Sequence, residues 1–352
     1  MFAIMGNART SVVAALSVSC VYLVYVHIYC SYKLLKANVL NERLPSFVFL
    51  YIKYVTRALT RRTGYLHTAT TRERDVVYTA LNCSVFVFQR LDTPLLRRFC
   101  SAAGYGWDYP DTEYRDIPMC FPETLCRRLL LMVLTDAHFR LSPAGLFRVR
   151  QSLKTLQPVD ELKKGPFVLQ VRVQEYRQSD AGVEVDISLS ATSRTGCPVW
   201  ESILTLLSKN TERLYKNAHE CQPDEPAPEN VKQIEVKVPG TTGLQCVWFF
   251  SGYSPSRLLS LAARLFGSRS QKAPSLWMLS TCLAEIEKHK GVGVITAPVN
   301  VTVQFKEPLL VPGRVTIKLW EKNGDQSGTQ DLIFHMQQHG SNTSHMMGVI
   351  SR

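Results

Sequence analysis

The residues best suited to chemistry lie between Val238 and Lys288, and they are donors rather than proton carriers. The stretch SGYSPSRLLSLAARLFG, Ser251 to Gly267, sets Tyr253 and Arg257 close together among Gly252, Ser254 and Pro255. A phenol with a pKa of about 10 makes a poor base without help, and a guanidinium stays protonated. No Asp and no His occurs in the whole interval, and its only acids are Glu285 and Glu287. General acid–base work needs a group that gives and takes a proton near neutral pH, and none is present. Further along, Ala273-Pro274-Ser275-Leu276-Trp277 reads as a helix start. Pro274 has no N–H to give, but Ser275 and Leu276 do, at the positive end of the helix dipole.

Other pairs have plainer readings. Glu285 and His289 are i, i+4 partners and read as a solvated pair on a helix. Asp136-Ala137-His138 closes an apolar helical run and reads as capping chemistry. Trp248, Phe249 and Phe250 read as core. The ten cysteines include Cys20 and Cys30 within an apolar run and no C-x-x-C pair. Reduced, mostly buried thiols fit this pattern better than a secreted disulfide scaffold. Metal-ligand spacing is absent, and neither a metal nor another cofactor is expected.

The elements that position these residues follow from periodicity. At 352 residues the chain exceeds one ordinary core. From Gly165 to Lys209 apolar positions alternate through Val168, Val171 and Val173, then Val183, Val185, Ile187 and Leu189, then Ile203, Leu204 and Leu206. Gly182 and Gly196-Cys197-Pro198 punctuate these runs, which predicts antiparallel strands with one buried face. Leu125, Leu129, Met132 and Val133 recur at helical spacing after Pro122. A second helix is predicted over Pro274 to His289, closed by Gly291. A helix-then-strands unit thus occurs twice, an α+β layer arrangement. Between the units, Asn210 to Lys232 carries Pro223, Pro226 and Pro228 and reads as a linker.

The Ser251–Gly267 stretch resembles the signature of the MaoC-like hydratases, roughly S-G-D-x-N-P-x-H followed by A-A-x-L-F-G. Ser251, Gly252, Pro255, Ala262, Ala263, Leu265, Phe266 and Gly267 fit that pattern. Val299 to Glu321 is similar to the family's closing strands, with a turn at Pro312-Gly313. Ile117 to Phe139, Gly145 to Val159 and Val199 to Lys209 are similar to the N-terminal half of members with two copies of the fold. The resemblance implies a double hotdog and a ligand that is an acyl thioester such as acyl-CoA. It also implies a ligand site at Gly252, Tyr253, Ser254, Pro255 and Arg257, with Ser275 and Leu276 at the helix start.

The family's Asp and His are the part that departs. One residue is missing after Gly252, so Tyr253 or a gap stands where the Asp belongs, and Arg257 takes the His position. Hydration of an enoyl thioester needs that pair, while carbonyl binding at the helix start does not. Within the tunnel that the resemblance implies, Arg257 would suit a carboxylate or phosphate; on a loop twisted outward it would face water. The expectation is a catalytically impaired hydratase homologue that binds acyl thioesters or acyl chains in lipid metabolism. An active R-specific enoyl-CoA hydratase or 3-hydroxyacyl dehydratase with unconventional groups is the alternative. An interaction module without a ligand tunnel is the third.

Ser11 to Tyr32 holds no charged residue, and a run of that length is predicted to be a transmembrane helix. A cleaved leader needs a shorter apolar region and a small-x-small site, which is not evident here. Basic residues from Lys33 to Arg62 follow the run and only Arg9 precedes it. The positive-inside rule then places both hotdog units in the cytosol, with the endoplasmic reticulum favoured over a mitochondrial membrane. Residues 1–100 hold 13 Lys or Arg against 4 Asp or Glu, so 13 − 4 = +9 of the net +12 belongs to this end. Membrane lipids are therefore the expected partner of that charge, and nucleic acid is not. Ser46 to Leu59 reads either as an interfacial helix or as one packed on the first unit. Sequons at Asn82, Asn300 and Asn342 would matter only in a lumen. The expected organisation is a short segment 1–10, an anchor 11–32, a basic juxtamembrane region 33–100, a first unit 101–209, a linker 210–232 and a second unit 233–352. A homodimer remains open.

Overall fold

A computed structural model describes residues 17–32, 44–66, 82–87, 91–106, 116–209, 231–238, 271–323, 330–341 and 343–352. Its centre is one ten-stranded sheet in which every pairing is antiparallel. The strands are β1 (Asn82–Val87), β2 (Leu146–Thr155), β3 (Phe167–Ser179), β4 (Gly182–Thr192), β5 (Pro198–Lys209), β6 (Lys232–Val238), β8 (Val299–Phe305), β10 (Gly313–Asn323), β11 (Gln330–Gln338) and β12 (Ser344–Ser351). Two short strands, β7 (Gln271–Lys272) and β9 (Leu310–Val311), pair separately. Five helices are used below: α1 (Phe47–Thr60), α2 (Thr93–Ala103), α3 (Phe121–Leu125), α4 (Arg127–Leu134) and α5 (Ser275–Lys290).

The sheet order β1-β3-β4-β5-β2-β8-β12-β11-β10-β6 reveals a duplication. In each half an edge strand leads to a helix, then to a strand at the centre of the sheet, then to a three-stranded meander that starts beside the edge strand and runs back inward to the central one. The halves meet where β2 pairs with β8, from Arg150 opposite Gln304 to Thr155 opposite Val299. Two helix-on-sheet units joined through a continuous sheet leave both central strands paired along both edges, with no open edge at the join. The first half reaches back to β1, which pairs with β3, and α2 begins at Thr93 and runs through residue 101. Much of the expected linker, residues 210–230, lies outside the described residues, and β6 begins at Lys232.

The alternating runs form strands, but their phase differs in places from the simple reading. The buried face of β3 is Phe167, Leu169, Val171 and Val173, so Val168 faces the other way. Ile203 likewise points out and is exposed, whereas Leu204 and Leu206 are buried. The expected single helix after Pro122 is two short helices, α3 and α4, meeting at Cys126. In α4 Leu129 to Leu134 are all buried, because the sheet covers one side and α1 packs on another. Helix α5 begins one residue after Pro274 and ends at Gly291, whose φ of +88° suits a residue without a Cβ.

At the N-terminus the structure describes only part of the expected anchor. Residues 17–32 are helical, with a π-turn at Tyr25–Tyr29, and residues 11–16 lie outside the described residues. Among the described residues no helix is long and apolar enough to cross a membrane.

Candidate functional site

The signature positions Gly252, Tyr253, Ser254, Pro255 and Arg257 lie outside the described residues, as do Trp248, Phe249 and Phe250. The structure does describe the other side of the expected site. Pro274 occupies the N-cap of α5 in an extended conformation, and among the described residues no side chain caps the helix there. Ser275 is half-buried and Leu276 is buried. The helix is then enclosed almost to its end. Trp277 donates its ring N–H to the Ala102 carbonyl at 2.8 Å, fastening α5 to α2. Ser280 donates to the Leu276 carbonyl at 2.8 Å.

The acids on α5 are remote from its start. Glu285 is ten residues beyond Ser275, about 15 Å along the axis, and Glu287 is further still. Glu285 bonds Lys288 at 2.6 Å, and His289 stands 3.9 Å away, so the expected i, i+4 pair is a loose member of a surface ion pair. Asp136 accepts from the backbone N–H and ring Nδ1 of the exposed His138 at 2.9 and 3.0 Å, a local turn of the expected kind. Among the described residues no group of three His, Cys, Asp or Glu side chains could hold a metal ion. Cys20, Cys30, Cys100, Cys120, Cys126, Cys197 and Cys282 are free. Burial pushes the Cys100 and Cys120 thiols up to about 12, which makes them inert at neutral pH.

Sequence reasoning missed a buried polar cluster at the join between the halves. Arg148 on β2 pairs with Glu123 on α3, both almost fully buried. Its Nη1 also donates to Gln151 Oε1 at 2.6 Å. Gln151 in turn donates to Glu123 Oε2 at 2.8 Å and to Ser202 Oγ at 3.1 Å. The guanidinium carbon stands 5.9 Å from the ring centre of Phe305 on β8, so the cluster reaches across the join. The signal was present as an inverted pattern in β2. Phe147 is exposed while Arg148 and Gln151 point in, and the register shift between Arg148 and Arg150 moves the buried phase from even to odd positions. Because Glu123 already accepts from Arg148 and Gln151, it acts as a structural counter-ion here.

No protein-family model and no curated protein matches the sequence. Solved structures do match. HtdX of Mycobacterium tuberculosis superposes with a TM-score of 0.55 at 17% identity, covering 77% of this chain and 99% of that one. A MaoC-like dehydratase from Phytophthora capsici gives 0.57 at 14% identity, covering 78% and 96%. The full-length peroxisomal multifunctional enzyme type 2 of Drosophila melanogaster gives 0.55 at 14% identity, over 78% of this chain and 48% of the other. At such identities the likeness is one of fold. The chain has the double-hotdog fold of the MaoC-like dehydratases, as the signature and the duplicated topology together led one to expect.

Proposed function

We propose that this chain is a membrane-attached double-hotdog protein that binds acyl thioesters or acyl chains without hydrating them. One observation carries the reading: the fold and the uncapped start of α5 are retained, while no Asp or His lies anywhere from Val238 to Lys288. Backbone donors at a helix start hold a carbonyl oxygen with no proton transfer. The acids that α5 does carry lie too far along it to serve that position, and Glu123 is held by Arg148. The apolar residues 11–32, followed by basic residues, support attachment to the cytosolic face of a membrane.

Purified full-length protein should show no hydration of crotonyl-CoA or longer enoyl-CoAs above background, yet bind acyl-CoA in calorimetry. Robust turnover would sink the impaired-enzyme reading, and its loss in Tyr253→Phe or Arg257→Ala would then identify the replacement chemistry. If Arg257 grips an anionic group of the ligand, Arg257→Ala loses about 1.5–3 kcal/mol of affinity with the fold intact. Unchanged affinity would place Arg257 at the surface.

A further inference from the structure

A serine and a histidine meet where β11 turns into β12. His335 on β11 is buried, and its Nε2 stands 2.6 Å from the Oγ of Ser344 on β12. The other ring nitrogen, Nδ1, stands 3.2 Å from the side-chain amide of Gln337, which is itself buried. Ser344 is half-buried, so its hydroxyl stays open to a reactant. A hydroxyl, an imidazole within hydrogen-bond reach of it and a polar group that fixes the far side of the ring are the parts of an activated nucleophile. The Gln337 amide presents nitrogen or oxygen to Nδ1 by a half-turn. With the oxygen there, Nδ1–H donates to it and Nε2 is left to accept the serine proton.

A β-bulge brings the two side chains together. Along β11, Phe334 and Met336 are core residues, so His335 and Gln337 point to the opposite face. Met336 is opposite Met346, but Gln337 is opposite Ser344, which leaves His345 as the extra residue. In an unshifted ladder His345 would face Gln337, and Ser344 would fall on the core side with Met346. The bulge turns Ser344 onto the face of His335, as bulges beside active sites do. His345 is held elsewhere, with Nδ1 3.1 Å from the Glu307 carbonyl oxygen and Nε2 3.2 Å from Gln338 Oε1. Across the sheet, His335 is flanked by Lys318 of β10 and Met347 of β12.

We propose that Ser344 is a nucleophile that takes the acyl group of an ester or thioester, with His335 as its general base. Oγ attacks the carbonyl carbon while its proton passes to His335 Nε2. The C–O or C–S bond breaks, and the departing alkoxide or thiolate takes that proton. Water then attacks the acyl-serine, giving a proton to Nε2, and the carboxylic acid leaves as Oγ is reprotonated. Gln337 is a positioning residue. This hydrolysis goes beyond the binding proposed above and needs neither of the groups that hydration lacks. The test treats full-length protein with a fluorophosphonate, maps adducts by mass spectrometry, and follows hydrolysis of p-nitrophenyl butyrate and butyryl-CoA. An adduct is expected on Ser344 and not on the exposed Ser341 of the adjoining turn. Ser344→Ala should abolish it, and His335→Gln should slow it about 100-fold or more. Gln337→Glu should speed it about tenfold or more, because a carboxylate fixes the Nδ1–H tautomer. The same variant should move the lower limb of the rate–pH profile upward, since that carboxylate favours the imidazolium. A role confined to holding the hairpin moves neither. Turnover of only one substrate assigns the ester or the thioester. No Ser344 adduct, equal labelling in His335→Gln, or an adduct with neither substrate hydrolysed would overturn the proposal. An unchanged rate and profile in Gln337→Glu would overturn it even where His335→Gln unfolds.

Discussion

Replacing Arg148 with Met tests the buried cluster at the join. The side chain is apolar and only slightly smaller in volume, but among the described residues the Glu123 carboxylate keeps only the Gln151 donor. Arg148 makes two bonds to Glu123 and one to Gln151, all inside the protein. Each bond to a charged group contributes about 1.5–3 kcal/mol. The two to Glu123 alone sum to about 3–6 kcal/mol, and the expected loss is about 3–5 kcal/mol, the range for breaking a buried pair from one side. Removing both charges, in Arg148→Met with Glu123→Leu, should recover most of that loss, because no carboxylate is then stranded. Urea unfolding followed by tryptophan fluorescence suits the measurement: Trp200 is fully buried and donates to the Met119 carbonyl at 2.8 Å, one residue from Cys120. A single-variant cost below about 1 kcal/mol would mean that the carboxylate is hydrated or protonated, and the argument would fail. A double variant as unstable as the single would fail it in another way, by showing that packing and not charge is at stake.

Gly348→Ala should destabilise by about 1–3 kcal/mol or more, since a Cβ there would stand 2.4 Å from the Phe334 ring and 2.8 Å from the Thr302 carbonyl oxygen; thermal melting checks it, and an unchanged Tm would mean that the two strands separate freely. Asp116 accepts from the backbone N–H groups of Ile117, Val159 and Asp160, yet burial, with Asp160 beside it, pushes its carboxyl up to about 6. Its folded pKa thus exceeds the unfolded value of about 4, the folded state binds the proton more tightly, and this group's contribution to stability grows as pH falls from about 7 to 4. Burial lowers the pKa of His345, which works in the opposite sense, so the measurement compares wild type with Asp116→Asn at pH 7.5 and pH 5. The Asn variant should lack the acid-side gain, and an identical pH profile in both proteins would refute the assignment.

Local pattern was enough to locate most elements. Alternation between turn glycines marks β3, β4 and β5, and a proline before and a glycine after mark α5, because strand and helix periods are properties of neighbouring residues. The signature from Ser251 to Gly267, and the absence of its Asp and His, was likewise legible in the chain. Phase was not. Val168 and Ile203 belong to the opposite face from their apolar neighbours, and Arg148 points in while Phe147 points out, because the packing of the whole sheet decides which face is covered; the register shift after Arg148 then turns Gln151 inward as well. The cluster of Glu123, Arg148, Gln151 and Ser202 joins residues up to 79 positions apart on a helix and two strands, so no window of sequence contains it. The same holds for α1. Its amphipathic spacing allowed either an interfacial or a packed helix, and docking against α4 made one face core while leaving the other as an exposed apolar ridge. Which face is free is set by what the rest of the chain places beside it, and that is a property of the tertiary structure alone.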